Sequence, residues 1–196
     1  MTTIFRVDSS DQIGTGHIYR CLNLAKNLKS EEVIFFCKNL KGNINSLIKK
    51  KYKVEIIPYQ EKKNQHSHFL ALSKEIQLKE AKYIKDKLIK KDINKIIVDH
   101  YGLNYIWEKS ISKITKNLIV LDDLANKKHF CKKYINYNYE GDLKKLKKKF
   151  ITETAFFCGK KYITLGKEII FQNKINKNQN FLIYLVSVDT KNITLK

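Results

Sequence analysis

Short apolar runs alternate with stretches of helical periodicity from Thr3 to Leu121. The predicted strands are Thr3–Val7, Val33–Cys37, Val54–Ile57, Lys95–Val98 and Asn117–Leu121. The predicted helices, in which apolar residues recur every three or four positions, are His17–Lys29, Asn43–Lys50, Ser73–Lys90 and Tyr105–Ile114. Strands that alternate with helices of this kind favour parallel βαβ units. The pattern therefore predicts an α/β fold with a doubly wound parallel sheet.

The pattern weakens after Asp123, and we predict that residues 1–171 form one domain. A polar linker is predicted at residues 172–180 (QNKINKNQN), followed by an apolar run at Phe181–Val186. Residues 181–196 are predicted to be the first strand of a C-terminal domain that is missing or truncated. An edge strand added to the first sheet is the alternative.

The chain is strongly basic, with 39 Lys and Arg against 19 Asp and Glu and a formal net charge of +20. Only Arg6 and Arg20 are arginines, whereas proteins that read nucleic acids favour arginine for its bidentate geometry. The lysine run Lys144–Lys149 is typical of a solvated helix face. We therefore expect no nucleic-acid partner, and a basic polyanion-binding module remains an alternative.

Other features favour a cytoplasmic location. No apolar run has the length of about 18–20 residues that a membrane helix needs, and the N-terminus begins directly with a strand-like segment. The four cysteines are widely spaced among apolar neighbours: Cys21, Cys37, Cys131 and Cys158. This spacing is typical of reduced thiols rather than of disulfides or a zinc site. We expect no membrane association.

The first candidate site segment lies between the first strand and the first helix. Gly14 and Gly16 permit a tight turn and a close approach of the backbone to a ligand. His17 begins the helix, whose positive dipole end favours the neutral ring, so the sequence predicts a general base that is neutral near pH 7. A histidine that only holds the loop together is an equally good interpretation.

Two further polar segments follow the fourth and fifth strands. Asp99 and Tyr101 are expected to face the same crevice as His17, because the carboxyl ends of parallel strands share one edge of the sheet. Asp99 could orient His17 or bind sugar hydroxyls, or it could cap the next helix. Asp122 and Asp123 form a carboxylate pair that could act in acid–base chemistry or anchor the loop. His66 and His68 lack neighbouring ligands, and we expect no metal.

Five segments resemble the UDP-2,4-diacetamido-2,4,6-trideoxy-β-L-altropyranose hydrolases of pseudaminic acid biosynthesis. They are DSSDQIGTGHIYRCLNLA (Asp8–Ala25), VDHYG (Val98–Gly102), LDDLANKKHFC (Leu121–Cys131), CGKKYITLGKE (Cys158–Glu168) and FLIYLVSVDTKNITLK (Phe181–Lys196). The resemblance implies a Rossmann-like domain that forms the N-terminal half of a GT-B-like architecture. It also implies that water attacks the anomeric carbon with inversion and releases UDP, without a cofactor or metal.

The resemblance places His17 and Tyr101 on the catalytic residues of that family. The predicted substrate-binding residues are Ser10, Gly14, Gly16, Arg20, Asp99 and Asp122. Where the family has two glycines in its last motif, this chain has Val186 and Ser187, and it has Gly166 where an arginine is usual. The expected partners are the UDP-sugar and a separate chain that supplies the C-terminal domain. The alternative is a truncated, decaying gene whose product is inactive alone. The acceptor domain of a GT-B-type glycosyltransferase is the alternative within sugar-nucleotide enzymes.

Overall fold

The computed structural model describes residues 1–28, 30–59 and 72–164 of the chain. The described residues form a sheet of seven parallel strands in the order β3-β2-β1-β4-β5-β6-β7. The strands are β1 (Thr2–Val7), β2 (Glu32–Cys37), β3 (Lys53–Ile56), β4 (Ile93–Asp99), β5 (Leu118–Leu121), β6 (Lys133–Asn136) and β7 (Ala155–Cys158). The α-helices are α1 (Gly16–Ala25), α2 (Asn45–Lys49), α3 (Lys74–Lys87), α4 (Tyr105–Ile111) and α5 (Leu143–Lys147). A 3₁₀ turn spans Lys160–Tyr162.

Helices cover both faces of the sheet, as the doubly wound prediction requires. On one face, Phe5 and Val7 of β1 pack with Ile18 and Cys21 of α1. On the other face, Ile4 belongs to a second core cluster, which includes residues of α3 and α4. Every residue of β1 is buried, as expected for the central strand of a parallel sheet with both faces covered. The predicted α/β fold class is confirmed.

Local hydrogen bonds explain where several helices begin. The side chain of Ser73 accepts from the backbone N–H of Ile76 at the start of α3. At the start of α4, the side chain of Asn104 accepts from the backbone N–H of Ile106. At the start of α5, the side chain of Asp142 accepts from the backbone N–H of Lys144. Each side chain satisfies one of the backbone donors that a helix leaves unpaired in its first turn.

The sequence prediction missed β6, β7 and α5 and misplaced several helix ends. Both strands have only four residues, too few for alternation to stand out in a lysine-rich segment. Helix α1 ends at Ala25 rather than at Lys29, and α4 ends at Ile111 rather than at Ile114. The predicted linker at 172–180 and strand at 181–196 lie outside the described residues. Within the described part, every helix is too short or too polar to cross a bilayer.

The strand order places a topological switch point between β1 and β4. From β1 the chain proceeds through β2 to β3 on one side, and it then returns to β4 on the other side. In open α/β sheets the crevice outside the carboxyl ends of such strands is the usual ligand site. The loop after β1 and the residues that end β4 meet at this crevice.

A buried ion-pair network stabilises the same end of the sheet. The Arg6 guanidinium bonds Asp8 at 2.7 and 2.8 Å and Glu80 of α3 at 2.7 and 3.1 Å. Lys38, just after β2, makes a 2.9 Å ion pair with Glu80, and its backbone N–H donates to Asp8 at 2.7 Å. His100 Nε2 lies 3.1 Å from Asp8 Oδ2. The network thus joins the ends of β1, β2 and β4 to helix α3.

Candidate active site

An open cavity of about 570 Å³ lies at the switch point. It is lined by Gln12, Ile13, Gly14, Gly16, His17, Tyr19, Arg20, Asn23, Tyr101, Asp123, Tyr137, Ile163 and Thr164. The lining therefore combines the loop after β1, helix α1 and the segments that follow β4, β5 and β6. In a chain with a net charge of +20, these lining residues include no lysine.

His17 forms a close pair with Asp99 at the inner end of the cavity. His17 Nδ1 lies 2.6 Å from Asp99 Oδ1, and both residues are buried, with exposures of 8 % and 1 %. Because a carboxylate oxygen can only accept, this contact assigns the hydrogen to Nδ1. Nε2, on the far edge of the ring, is then the atom that can take a proton. Asp99 thus orients His17, as the sequence analysis anticipated.

The pKa of His17 is raised, which is opposite to the direction expected from the positive end of the helix dipole. Burial of the imidazole lowers the pKa, but the charge and hydrogen bond of Asp99 outweigh burial. Arg20 opposes this rise and Asp123 adds to it. The helix end is a local influence on His17, whereas Asp99, the partner that raises its pKa most, is 82 positions away in the chain. The ring is a stronger base than the sequence predicted.

Arg20 binds two carboxylates at once. Its Nε and Nη2 donate to Asp99 at 2.8 and 2.6 Å, and its Nη1 donates to Asp123 at 2.8 and 3.0 Å. Nη1 also lies 3.2 Å from the hydroxyl of Tyr137, whose ring centroid is 5.4 Å from the guanidinium carbon. Arg20 lines the cavity as predicted, but its donors are directed at protein groups. Its role as a substrate-binding residue stays a prediction.

Tyr101 lies edge-on against His17. The two ring centroids are 4.7 Å apart with an interplanar angle of 82°. The Tyr101 hydroxyl donates to Asp123 Oδ2 at 3.2 Å. Burial, and then the nearby carboxylates of Asp123 and Asp99, raise the pKa of the phenol, so Tyr101 is protonated across the physiological range. The structure therefore brings both predicted catalytic residues to the same cavity.

The two glycines predicted to approach a ligand both line the cavity. Gly14 has φ of 79° and its N–H bonds the Ser10 carbonyl at 2.9 Å, so it closes a tight turn that disfavours other residues. A Cβ added at Gly16 would meet no atom within 4 Å, so a side chain there would extend into open space at the cavity. That substrate approaches the backbone at Gly14 and Gly16 stays a prediction.

Ser10 and Asp122 lie outside the lining of the cavity. The Ser10 hydroxyl accepts from the backbone N–H groups of Gln12 and Ile13 and holds the turn that contains Gly14. The Asp122 carboxylate accepts from the backbone of Leu124 and Ala125. The Asp122 contacts correspond to the anchoring role that the sequence analysis kept as the alternative for the carboxylate pair. Substrate binding by Ser10 and Asp122 stays a prediction.

Asp122 also belongs to a buried cluster with His129, Glu108 and Tyr134. His129 Nδ1 lies 2.7 Å from Glu108 Oε1, and Nε2 lies 3.3 Å from Asp122 Oδ2. The Tyr134 hydroxyl donates to Asp122 at 2.9 Å. Burial lowers the pKa of His129, but Glu108 and Asp122 raise it to about 9. A protonated imidazole between two carboxylates therefore fixes the turn after β5.

Because His129 is charged in the folded protein, we expect the unfolding free energy to fall in mild alkali. Its folded pKa lies above the unfolded value of about 6.5, so the stabilisation is complete below pH 6.5 and is lost as pH rises through 9. We expect wild-type protein to lose about 2–4 kcal/mol more unfolding free energy over this window than His129→Gln does. Urea titrations at half-unit pH intervals measure the difference. Parallel pH profiles for the two proteins would contradict it.

The other predicted features have mixed outcomes. Cys21, Cys37 and Cys131 are buried and Cys158 is half-buried, in agreement with the prediction that the cysteines are mostly buried. That the thiols are reduced stays a prediction. His66, His68, Gly166, Val186 and Ser187 lie outside the described residues. The expectation that no metal or cofactor takes part stays a prediction.

Comparison with known proteins identifies a relative over the full chain. The sequence is 30 % identical over 198 residues to the UDP-2,4-diacetamido-2,4,6-trideoxy-beta-L-altropyranose hydrolase of Campylobacter jejuni, and the alignment covers 100 % of this chain. The predicted resemblance is confirmed.

The chain spans 64 % of the length of the Campylobacter hydrolase. It is also 30 % identical over 205 residues to the uncharacterized protein MJ1062 of Methanocaldococcus jannaschii, covering 96 % of this chain and 37 % of that protein. Among solved structures, MurG of Acinetobacter baumannii matches with a TM-score of 0.49 and 10 % identity over 81 % of this chain and 45 % of that chain. No family model matches the chain.

The sequence does not single out Asp123 or Tyr137 as a site residue, and the structure places both at the cavity. Asp123 contacts both Arg20 and Tyr101, although Asp122 was predicted as the substrate-binding member of the pair. Tyr137 follows β6, which the sequence prediction missed, and it packs on Arg20. The Asp-Asp sequence indicated that a carboxylate could act at this site, but nothing in the sequence distinguished Asp122 from Asp123. No sequence pattern indicated a role for Tyr137.

Proposed function

We propose that this chain carries the sugar-side, water-activating half of an enzyme that hydrolyses a UDP-linked diacetamido-trideoxy sugar. The products are the free sugar and UDP, and the reaction would serve pseudaminic acid biosynthesis in the cytoplasm. The observation that carries the proposal is the His17–Asp99 pair, 2.6 Å apart, at a cavity where Tyr101 also lies. The named Campylobacter relative supplies the substrate class.

The geometry suits activation of a water molecule. Asp99 holds the hydrogen of His17 on Nδ1 and leaves Nε2 to accept a proton from water. The water oxygen then bonds to the anomeric carbon while the bond from that carbon to the diphosphate oxygen breaks. The electron pair of that bond leaves with UDP, and the water proton stays on His17. Attack opposite the leaving group inverts the configuration.

Asp99 makes this proton transfer more favourable by raising the basicity of His17. The imidazolium formed in the reaction faces the Asp99 carboxylate, so its charge is compensated at the moment it appears. Tyr101, held against the ring, is placed to hydrogen-bond the sugar or the attacking water. General-base catalysis with such a pair contributes about 10²–10⁴-fold to the rate.

The diphosphate needs positive charge from outside the described lining. Arg20 is the one arginine or lysine among the lining residues, and it already faces the carboxylates of Asp99 and Asp123. We therefore propose that the part of the protein that corresponds to the stretch of the Campylobacter hydrolase outside this alignment holds the UDP group. Binding energy from the nucleotide would then support catalysis at the sugar.

Hydrolysis in H₂¹⁸O tests the proposed reaction. We expect ¹⁸O in the free sugar and none in UDP, because water attacks carbon rather than phosphorus, and mass spectrometry of both products measures this. The assay uses this chain alone and together with the part of the Campylobacter hydrolase that the alignment does not cover. Label in UDP would contradict attack at carbon. UDP release that requires a sugar or lipid acceptor would instead indicate a glycosyltransferase.

A further inference from the structure

We propose that Asp123 is a positioning residue that holds Tyr101 against His17 during hydrolysis. The inference rests on the proposed function, because it assigns a role within that reaction. The contacts of the two Asp123 carboxylate oxygens carry the inference.

The Asp123 carboxylate connects the two sides of the site. It accepts from the Tyr101 hydroxyl at 3.2 Å and from Arg20 Nη1 at 2.8 and 3.0 Å. Arg20 in turn binds Asp99, which orients His17. The side chains of Asp123 and Arg20 are only 15 % and 8 % exposed, so these contacts are largely shielded from water. A chain of charge-assisted bonds therefore links the Tyr101 hydroxyl to the His17 ring.

The backbone beneath Asp123 is fixed independently of the cavity. Asp122 anchors the turn by accepting from the N–H groups of Leu124 and Ala125 at 3.3 and 3.0 Å. Ala125 has φ of 51°, a conformation that a non-glycine residue adopts only where its surroundings impose it. The rigid turn places the Asp123 side chain toward Tyr101 while the Asp122 side chain is directed into the protein.

This arrangement sets the direction of the Tyr101 hydroxyl. With its hydrogen donated to Asp123, the phenol hydroxyl is kept in one orientation while the phenol ring lies beside the imidazole, 4.7 Å between ring centroids. Asparagine at position 123 would keep the size of the side chain but remove the charge that pairs with Arg20. The hydroxyl would then lose a charge-assisted acceptor, and the ring would sample other orientations.

A double-mutant cycle with Tyr101→Phe tests the coupling. We expect Asp123→Asn to lower kcat by about 10–100-fold with a small change in KM, because a misplaced group near the reacting atoms costs on this order. In the Tyr101→Phe background, Asp123→Asn should lower kcat less than about threefold. Losses that multiply would show that Asp123 acts independently of Tyr101 and would overturn the proposal.

The matched control is Asp86→Asn, which removes an exposed carboxylate from a surface pair with Lys82 on α3. It should leave kcat, KM and the urea midpoint unchanged. Equal urea midpoints for wild type and Asp123→Asn at the assay temperature would show that the kcat loss does not come from unfolding.

A spectroscopic measurement separates this inference from the proposed function. In protein labelled with ¹³Cζ-tyrosine, the Tyr101 resonance is identified by its loss in Tyr101→Phe. We expect Asp123→Asn to move that resonance, because its shift reports the hydrogen bond of the phenol, and Asp86→Asn to leave it in place. An unmoved resonance would overturn the positioning role. A moved resonance in a protein that hydrolyses no UDP-sugar would support the contact and overturn the proposed reaction.

Discussion

Replacement of His17 with glutamine is expected to reduce the rate of UDP-sugar hydrolysis by about 10²–10⁴-fold, the usual contribution of a general base. Glutamine can still donate a hydrogen bond to Asp99 and fill much of the same space, but its amide cannot accept a proton from water. The loss should therefore fall on kcat. Initial rates of UDP release at saturating substrate measure it.

The pH dependence distinguishes a general base from a residue that only shapes the cavity. The neutral His17 ring is the active form, so the rate should rise with pH through the pKa of His17 and then level off. Because Asp99 raises this pKa, the midpoint should lie above 6.5. The residues that face the ring are Asp99 from β4, Arg20 from α1, Asp123 after β5 and Tyr101 after β4. In Asp99→Asn the midpoint should move to lower pH and the plateau should fall.

His66→Gln is the matched control, because the sequence assigns this histidine no chemistry. It should retain wild-type rates and the wild-type pH profile. A His17→Gln protein that is folded by urea titration and still hydrolyses the UDP-sugar at a rate near that of wild type would contradict the assignment of the base.

The sequence was sufficient to predict the central fold. Val33–Cys37 is a continuous apolar run, and Thr3–Val7 is apolar except at Thr3 and Arg6. Near-continuous apolar runs between helices are typical of parallel strands buried on both faces. The last two strands at one side of the sheet, β6 and β7, could not be found in this way. Each has four residues, and β6 begins with an exposed lysine, so their pairing depends on strands already in place rather than on local pattern.

The sequence also predicted which residues meet, but not how they interact. The rule that parallel strands present their carboxyl ends at one edge was enough to group His17, Asp99 and Tyr101. It could not reveal that Arg20 binds two carboxylates, since Asp99 and Asp123 are 79 and 103 positions away. It also could not choose between Asp122 and Asp123, because that choice depends on the turn at Ala125.

Removal of the negative charge of Glu80 is expected to destabilise the fold by about 3–5 kcal/mol, the usual cost of leaving a buried charge without its partner. Arg6 is fully buried, and two carboxylates, Asp8 and Glu80, compensate it together with Lys38. In Glu80→Gln, the two buried cations Arg6 and Lys38 would share one carboxylate, that of Asp8. Urea unfolding at pH 7 measures the change in free energy.

The same ion pairs predict how the stability depends on acid. Burial alone raises the pKa of Glu80, but Arg6 and Lys38 lower it to about 2. A carboxylate with a lowered pKa stabilises the fold above its unfolded value of about 4.5, and this stabilisation is lost as pH falls through 2. Glu80→Gln should therefore lose less stability than wild type does between pH 5 and pH 2.

Glu153→Gln, which changes an exposed carboxylate, is the control for charge removal alone and should shift the unfolding free energy by less than about 0.5 kcal/mol.

A second variant, Arg6→Met with Glu80→Leu and Lys38→Met, removes three of the network's charges and leaves that of Asp8. If unpaired charge is the cause, this triple variant should be less destabilised than the sum of its single changes predicts. If Glu80→Gln unfolds at the same urea concentration as Glu153→Gln, the network contributes no stability. The ends of β1, β2 and β4 would then depend on packing alone to hold the site.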